Sequence, residues 1–266
     1  MLKTITSVTK KIIGIHPQQG VQPLRNLTHV GSTFHGYHVP ENFLTPDSVC
    51  YCIGAGEDIS FDTELKYRFD SRVYIFDPMP EGIHHFEKLK EYASRNQPFS
   101  IHTSIPFTYR VNKEQVDAIT FVEVGVWDAK TKLKFFAPDR DDYPSHSVYL
   151  FQDTGKYIEA PVDRLSNLMK QLGHQSVDLV KMEIEGAEYT VIDTIVDDKL
   201  DVKVILVEFD EVFNTKDKLF HFRIKKSCDK LKKAGYVLVH STENLKRTFV
   251  RRDVYETLKA QELGLN

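Results

Sequence analysis

Residues 48–77 read SVCYCIGAGEDISFDTELKYRFDSRVYIFD, and this stretch decides the fold. Its two ends, 48–54 and 72–77, are short runs of apolar and β-branched residues, which predict buried strands. Residues 58–69 between them have the length and composition of a helix, and Gly54-Ala55-Gly56 supplies the turn that precedes it. A strand, a crossover helix and a second strand form the repeating unit of parallel sheets. We therefore expect an α/β protein.

The same alternation continues along the chain. It predicts five further strands, at residues 118–127, 177–183, 202–209, 235–241 and 245–252. It predicts helices at residues 82–95, 163–172, 187–196 and 219–233. Only Thr242, Glu243 and Asn244 separate the last two strands, too few residues for a helical crossover, so the seventh strand is expected to run antiparallel to the sixth. The prediction is a seven-stranded, mostly parallel sheet with helices on both faces.

The first residues of the chain differ in character from the rest. Residues 1–45 carry scattered glycines and prolines and show no sustained hydrophobic period. We interpret them as an irregular N-terminal cover, and residues 46–266 as one domain.

Charge and cysteine content narrow the class of protein. A formal net charge of −3 gives no electrostatic reason to expect a nucleic-acid partner. Cys50 and Cys52 fall in a predicted strand, and no second Cys or His pair lies at zinc-site spacing, so buried free thiols are expected. No stretch approaches the ~18 apolar residues of a membrane span. The prediction is a cytoplasmic protein without a membrane span.

The glycine turn and the end of the next strand suggest a ligand site. Glu57 and Asp58 follow the turn directly, so a pyrophosphate would meet carboxylates there, and a zwitterionic or cationic ligand is favoured over NAD. Asp77 ends the next strand about twenty residues later, where a carboxylate typically holds a ribose diol. The alternatives are an ordinary acidic helix start and an ordinary turn aspartate.

A third segment concentrates ionisable residues at the end of a predicted central strand. It is VDLVKMEIEGAEYTVI, residues 177–192. If the strand persists, Lys181, Glu183 and Glu185 lie on one face. Charges there are costly to bury unless they pair or bind something, so we expect either an ion-paired cluster lining a crevice or a purely structural network.

These motifs together resemble a known family. GAGEDISFD, VYIFDPMP, VDRLSNLM, VDLVKMEIEGAEYTVI and VILVEFDE, in this order, are similar to the FkbM family of S-adenosylmethionine-dependent methyltransferases over about residues 48–250. The resemblance implies a Rossmann-like class I methyltransferase fold and a reaction on hydroxyls of sugars and natural products. Two positions depart from the family pattern: Glu183 stands where aspartate is common, and Phe209-Asp210 follows Glu208 where a histidine is common.

The resemblance also implies a site for S-adenosyl-L-methionine. Gly54-Ala55-Gly56 would lie under its methionine part, Glu57 near its amino-acid end and Asp77 at its ribose. Residues 125–128 would border the adenine, with Asp128 a candidate acceptor for the exocyclic amine. The complete set of cofactor-binding candidates is Gly54, Ala55, Gly56, Glu57, Asp77, Trp127, Asp128 and Glu183.

Methyl transfer from a sulfonium needs alignment above all, with a base to accept the hydroxyl proton. Glu185 is the preferred candidate, followed by Glu183 and Asp210, while His146 and His221 are weaker candidates. No metal is predicted. The expected partner is a small-molecule or glycan acceptor. An NAD-binding oxidoreductase and a non-catalytic module with the same fold are the alternatives.

Overall fold

A computed structural model describes residues 18–101, 105–137, 147–148, 156–209, 219–242 and 246–265. Its strands are β1 (Leu27–Val30), β2 (Tyr37–Pro40), β3 (Val49–Ile53), β4 (Arg72–Phe76), β5 (Ser100–Ile101), β6 (Phe107–Thr108), β7 (Thr120–Val122), β8 (Gly125–Trp127), β9 (Thr131–Phe136), β10 (Tyr157–Arg164), β11 (Ser176–Met182), β12 (Asp201–Glu208), β13 (Tyr236–Ser241) and β14 (Lys246–Arg251). Its helices are α1 (Ser60–Phe69), α2 (Pro80–Ser94), α3 (Lys113–Asp117), α4 (Leu165–Gln171), α5 (Glu188–Asp197), α6 (Phe220–Lys233) and α7 (Arg252–Glu262).

Seven of these strands form the central sheet of the described chain, in the order β13-β14-β12-β11-β3-β4-β7. The pairs from β12 through β7 are parallel, whereas β14 is antiparallel to both of its neighbours. The short connection between β13 and β14 leaves no room for a helix, which imposes the reversal. This arrangement confirms the predicted Rossmann-like class I methyltransferase fold.

Both faces of the sheet are covered, because successive side chains of each strand point to opposite sides. Along β3, Cys50 and Cys52 pack with α1, α2 and α7, whereas Val49, Tyr51 and Ile53 pack with α4, α5 and α6. All five β3 side chains are buried. Cys50 and Cys52 are free and buried, as expected, and Cys228 is free and buried as well.

The strand predicted at residues 118–127 is wrong as a single element. It divides into β7, at the edge of the central sheet, and β8, which pairs with β10 in a separate three-stranded sheet. The break is a tight turn in which the Val124 amide donates to the Val122 carbonyl at 2.8 Å. Gly125 is the only glycine of the run, and an isolated glycine within a strand pattern suggests a bulge rather than a change of sheet. The helix predicted to begin at residue 163 begins at Leu165 instead, because β10 extends to Arg164.

The described part of the N-terminal segment is more regular than expected. β1 and β2 form an antiparallel hairpin. This hairpin contacts the central sheet, where the Thr248 hydroxyl donates to the His38 carbonyl at 2.7 Å. The C-terminal helix α7 was also not predicted, and its Glu262 accepts bonds from the amides of Arg25 and Asn26. β1 and β2 have only four residues each and are held by partners distant in sequence, so periodicity does not reveal them. α7 does carry buried Tyr255 and Leu258 at helical spacing, a signal that the sequence prediction did not use.

Stability should fall in mild acid because His85 on α2 is buried, with Nε2 2.7 Å from the Tyr109 hydroxyl. Burial, and secondarily Lys88, lowers the pKa of His85 from 6.5 to about 4. A lowered histidine pKa means that stability is complete above the unfolded value and is lost as pH falls toward the folded value. Between pH 7.5 and 5, the free energy of unfolding of the wild type should fall by about 2 kcal/mol more than that of His85→Gln.

Urea unfolding of both proteins at each pH measures this difference. Glutamine retains a hydrogen bond to Tyr109 but cannot titrate in this range, so other ionisable groups cancel in the comparison. Parallel stability curves for the two proteins would show that His85 does not carry the effect.

Candidate active site

The glycine turn lies at the carboxyl edge of the sheet, between the ends of β3, β4 and β11. Gly54 has φ of +88°, and a Cβ placed there would lie 2.0 Å from the Glu183 carbonyl oxygen. The Gly54 amide donates to the Phe76 carbonyl at 2.9 Å. The Lys181 ammonium donates to the Gly54 carbonyl at 2.6 Å. Glycine is therefore required at position 54, because the turn passes between two strand ends without space for a side chain.

Beyond Gly54 the turn faces open space. A Cβ on Gly56, whose φ is +51°, would meet no heavy atom of the described chain within 4 Å. Ala55 is buried, whereas Glu57 is exposed. The side of the turn bearing Gly56 and Glu57 is thus not covered by the described residues.

Asp77 lies beside this turn, 6% exposed. Its Oδ2 accepts the amides of Ala55 at 2.8 Å and Gly56 at 3.1 Å, and its Oδ1 accepts the Met79 amide at 2.8 Å. Burial raises the pKa of Asp77, while the three amides favour the charged form. Gly82 allows this approach, since a Cβ there would lie 2.9 Å from Oδ2.

The hydrogen bonds between Asp77 and these amides limit the kind of ligand that the turn can bind. Amides of a glycine turn that bind pyrophosphate must point at the ligand. Here Asp77 already accepts those of Ala55 and Gly56. A carboxylate offers about four acceptor positions, and three are used, so Oδ1 retains one for a hydroxyl group. The arrangement suits a ribose hydroxyl better than a phosphate.

A buried charged cluster stands next to the turn. Lys181 Nζ lies 3.7 Å from Glu183 Oε2, and Lys246 Nζ lies 3.0 Å from Glu208 Oε2. The predicted pairing of Lys181 with Glu183 is thus present. Glu183 also receives two groups from the N-terminal hairpin: its Oε1 lies 2.8 Å from His35 Nδ1, and its Oε2 accepts the Tyr37 hydroxyl at 3.1 Å.

The two glutamates of this cluster, Glu183 and Glu208, differ in their tendency to ionise. Burial opposes ionisation of Glu183, but Lys246, Lys181 and His35 hold its pKa well below the usual range. Burial together with the charge of Glu183 raises the pKa of Glu208 to about 7. Two neighbouring carboxyl groups share their protons in this way, so Glu183 is the ionised member of the pair.

Glu185 does not lie where the sequence placed it. β11 ends at Met182, and the chain then turns through Glu185, φ +53°, and Gly186, φ +100°. Glu188 stabilises this turn, because its carboxylate accepts the Ile184 amide at 2.8 Å and the Gly186 amide at 2.9 Å. The prediction that Glu185 continues the strand face of Lys181 and Glu183 is therefore wrong. The local backbone, not strand periodicity, orients this side chain.

The remaining candidates divide between described and undescribed parts of the chain. Gly125 lies against the residue after Asp77, since its Cβ would be 3.2 Å from Pro78 Cγ. Trp127 ends β8 half-buried, and Asp128 is exposed with its carbonyl accepting Arg164 at 2.7 Å. Asp210 and His146 lie outside the described residues. The ring of His221 lies tilted against that of Phe220, with ring centroids 4.0 Å apart.

Sequence reasoning missed the contribution of the N-terminal hairpin. His35 and Tyr37 come within hydrogen-bonding distance of Glu183, which is nearly 150 residues away along the chain. The only available signal was the concentration of histidines and aromatic residues in residues 34–38, FHGYH. Loops held by a rigid scaffold carry a disproportionate share of binding and catalytic residues.

Several solved structures are similar to this chain. A methyltransferase FkbM from Methylobacillus flagellatus KT has a TM-score of 0.45 and 11% identity, covering 78% of this chain and 44% of its own. A precorrin-6y C5,15-methyltransferase from Geobacter metallireducens GS-15 has a TM-score of 0.38 and 17% identity, covering 78% and 82%. The METTL16 methyltransferase domain has a TM-score of 0.41 and 10% identity, covering 94% and 70%.

The present chain thus spans less than half the length of the first of these proteins. A search of curated proteins gives no match. No helix of the described residues has the length and apolar character to cross a membrane. The methyltransferase FkbM domain matches residues 51–238, well over half of the sequence. With this match and the class I sheet described above, the chain belongs to the FkbM methyltransferase family.

Proposed function

We propose that the protein uses S-adenosyl-L-methionine to methylate a hydroxyl group of a sugar or natural product. The carrying observation is the glycine turn, whose amides are already accepted by Asp77 while the side bearing Gly56 stays open. Such a turn suits a ribose and an amino acid rather than a pyrophosphate. Membership of the family supports methyl transfer.

The residues present fit this cofactor. Gly54, Ala55 and Gly56 would lie under its methionine part, exposed Glu57 would attract its ammonium group, and the remaining acceptor position of Asp77 would take a ribose hydroxyl. Trp127 and Asp128 would border the adenine. When bound, the cofactor supplies a methyl group already activated as a sulfonium, so the protein has to align the acceptor and remove a proton.

The acceptor is proposed to be a small molecule or glycan. The net charge of −3 and the carboxylates around the turn disfavour a polyanionic acceptor. The same carboxylates disfavour NAD, so the oxidoreductase alternative is the weaker one. Buried free cysteines support a reducing compartment, and we propose the cytoplasm.

Calorimetric titration with S-adenosylhomocysteine, with NADH as the comparison, tests the cofactor. We expect micromolar binding of S-adenosylhomocysteine that Asp77→Ala abolishes. Because Asp77→Ala also leaves three backbone amides unpaired and could unfold the turn, a second variant is needed. Glu57→Gln is exposed, so it should keep the melting temperature while weakening binding several-fold. Glu159→Gln, exposed on β10, is the matched control.

Preferential binding of NADH, or no binding of S-adenosylhomocysteine, would contradict the assignment. The acceptor is tested separately with cofactor carrying a ¹³C-labelled methyl group and a panel of methyl glycosides of glucose, mannose and rhamnose. The chemical shift of the transferred carbon distinguishes O-methyl from N-methyl and C-methyl products. A cofactor-binding protein that labels no hydroxyl in the panel would contradict the O-methylation proposal.

A further inference from the structure

The turn between β1 and β2 is fixed against the cofactor side of the sheet. The Ser32 amide donates to the Ser60 hydroxyl at 2.8 Å, and the Ser32 hydroxyl donates to Asp58 Oδ2 at 2.9 Å. A Cβ on Gly31 would lie 2.9 Å from Phe61 Cα, so only glycine allows the turn to lie this close to α1. The N-terminal hairpin is therefore anchored to the helix that follows the glycine turn.

His35 projects from this turn. Its backbone amide donates to the Ser32 hydroxyl at 3.1 Å, and its Nδ1 lies 2.8 Å from Glu183 Oε1. The imidazole is 44% exposed, whereas the Glu183 side chain is 16% exposed. No described residue hydrogen-bonds Nε2 of His35. One ring nitrogen is thus held by a carboxylate and the other is available to a molecule from outside.

Glu183 is suited to orient this ring. Glu183 stays ionised because Lys246 and Lys181 face it. Of the two neighbouring carboxyl groups, Glu208 is the one that binds a proton. An ionised carboxylate at Nδ1 keeps the proton on that nitrogen and stabilises the imidazolium that forms when Nε2 takes a second proton. Glu183 is also next to Gly54 in space, since its carbonyl oxygen lies 2.0 Å from the position that a Cβ of residue 54 would occupy. The pair therefore lies beside the turn proposed to hold the methionine part of the cofactor.

We propose that His35 is the general base of the reaction and that Glu183 is its positioning residue. This inference rests on the proposed function. The acceptor oxygen forms the bond to the methyl carbon, and its proton passes to Nε2 of His35. The electrons of the breaking carbon–sulfur bond remain on sulfur, which becomes the neutral thioether. The N-terminal segment is then a part of the catalytic site.

The charges around His35 set the pH at which it acts. Glu183 from the end of β11 and Asp58 from the segment before α1 are negative, and Lys246 from β14 is positive. Burial alone would lower the pKa of His35, but the hydrogen bond and charge of Glu183, with Asp58, raise it above the usual 6.5. The free base is thus expected to form in the neutral to mildly alkaline range.

Titration of the His35 ring by NMR, with ¹⁵N-labelled histidine, tests the inference without an acceptor. The signal is assigned by its loss in His35→Asn. In the wild type the titration is made with S-adenosylhomocysteine and then with S-adenosylmethionine, which differ by the positive charge on sulfur. A base placed to receive the acceptor proton lies close to that sulfur, so its pKa should be lower with the sulfonium by about half a unit or more.

His174 is the internal control, because it precedes β11 at the opposite edge of the sheet and contacts Tyr51 at 2.6 Å. Its pKa should be the same in both complexes. Glu183→Gln should lower the pKa of His35. His35→Asn should bind S-adenosylhomocysteine within about twofold of wild type but transfer methyl to the glycoside panel about 100-fold more slowly.

The outcomes separate the two proposals. If both cofactor forms bind and the pKa of His35 is equal in the two complexes, or if His35→Asn retains full transfer, the base assignment is overturned and cofactor binding stands. A Glu183→Gln variant that folds and leaves the pKa of His35 unchanged overturns the positioning role. If neither cofactor form binds, the proposed function itself fails.

Discussion

Gly54→Ala is expected to lower the free energy of unfolding by about 3–5 kcal/mol, from left-handed backbone strain and steric overlap together. Gly54 has φ of +88°, and its Cβ would lie 2.0 Å from the Glu183 carbonyl oxygen. That oxygen belongs to backbone held by the end of β11, where the Glu183 amide donates to the Ile53 carbonyl at 3.1 Å. Neither strand end can move without breaking the parallel pairing of β3 with β11.

The matched control is Gly173→Ala, with φ of +75° and no heavy atom of the described chain within 4 Å of the new Cβ. It carries the backbone strain without the overlap and should cost about 1 kcal/mol. Urea denaturation of the two variants and the wild type measures both values. Equal destabilisation by the two substitutions would mean that the turn at Gly54 relaxes and does not require glycine.

Lys181→Met is expected to destabilise the protein by about 3–5 kcal/mol, the cost of leaving buried charge uncompensated. Lys181 is 3% exposed, and burial opposes its charge, yet Asp62 and Glu183 raise its pKa above the usual value. Asp62, on α1, is buried beside the Cys52 thiol without a conventional N–H or O–H donor in the described chain. Removing the ammonium takes a buried positive charge away from both carboxylates.

A double variant shows whether charge is the cause. Lys181→Met with Asp62→Asn should recover a substantial part of the lost stability, because one of the two stranded carboxylates is gone. Lys203→Met is the control on the neighbouring strand: its ammonium lies 2.6 Å from Asp178 and is one third exposed, so its loss should cost no more than about 1 kcal/mol. Thermal and urea unfolding measure all four proteins. Equal costs for the two lysines would contradict the argument.

Local pattern was sufficient for much of the fold. The run from Ser48 to Asp77 predicts a strand, a helix and a strand, and the structure has β3, α1 and β4 within it. The three residues between the last two predicted strands indicate an antiparallel last strand, and β13 and β14 pair in this way. These predictions succeed because buried strands and short connections are encoded within a few neighbouring residues.

The predictions that failed depend on local hydrogen bonds of the backbone that the periodicity of side chains does not record. The turn at Val124 moves β8 into another sheet, and Gly125, the one local signal there, does not indicate that the chain changes sheets. The orientation of Glu185 follows from amides held by Glu188 rather than from the strand period. In both places backbone hydrogen bonds override the periodicity of side chains.

The candidate site also combines features that local sequence patterns predict with contacts that they do not. The sequence by itself determined the glycine turn, the carboxylate of Asp77 about a helix and a strand later, and the charged end of β11, since each is a local pattern at a strand end. Only the tertiary structure decided that Asp77 accepts the amides of the turn and that Glu183 receives His35. Partners so far apart in sequence meet because the sheet and its covering hairpin bring them together, and no local pattern records that meeting.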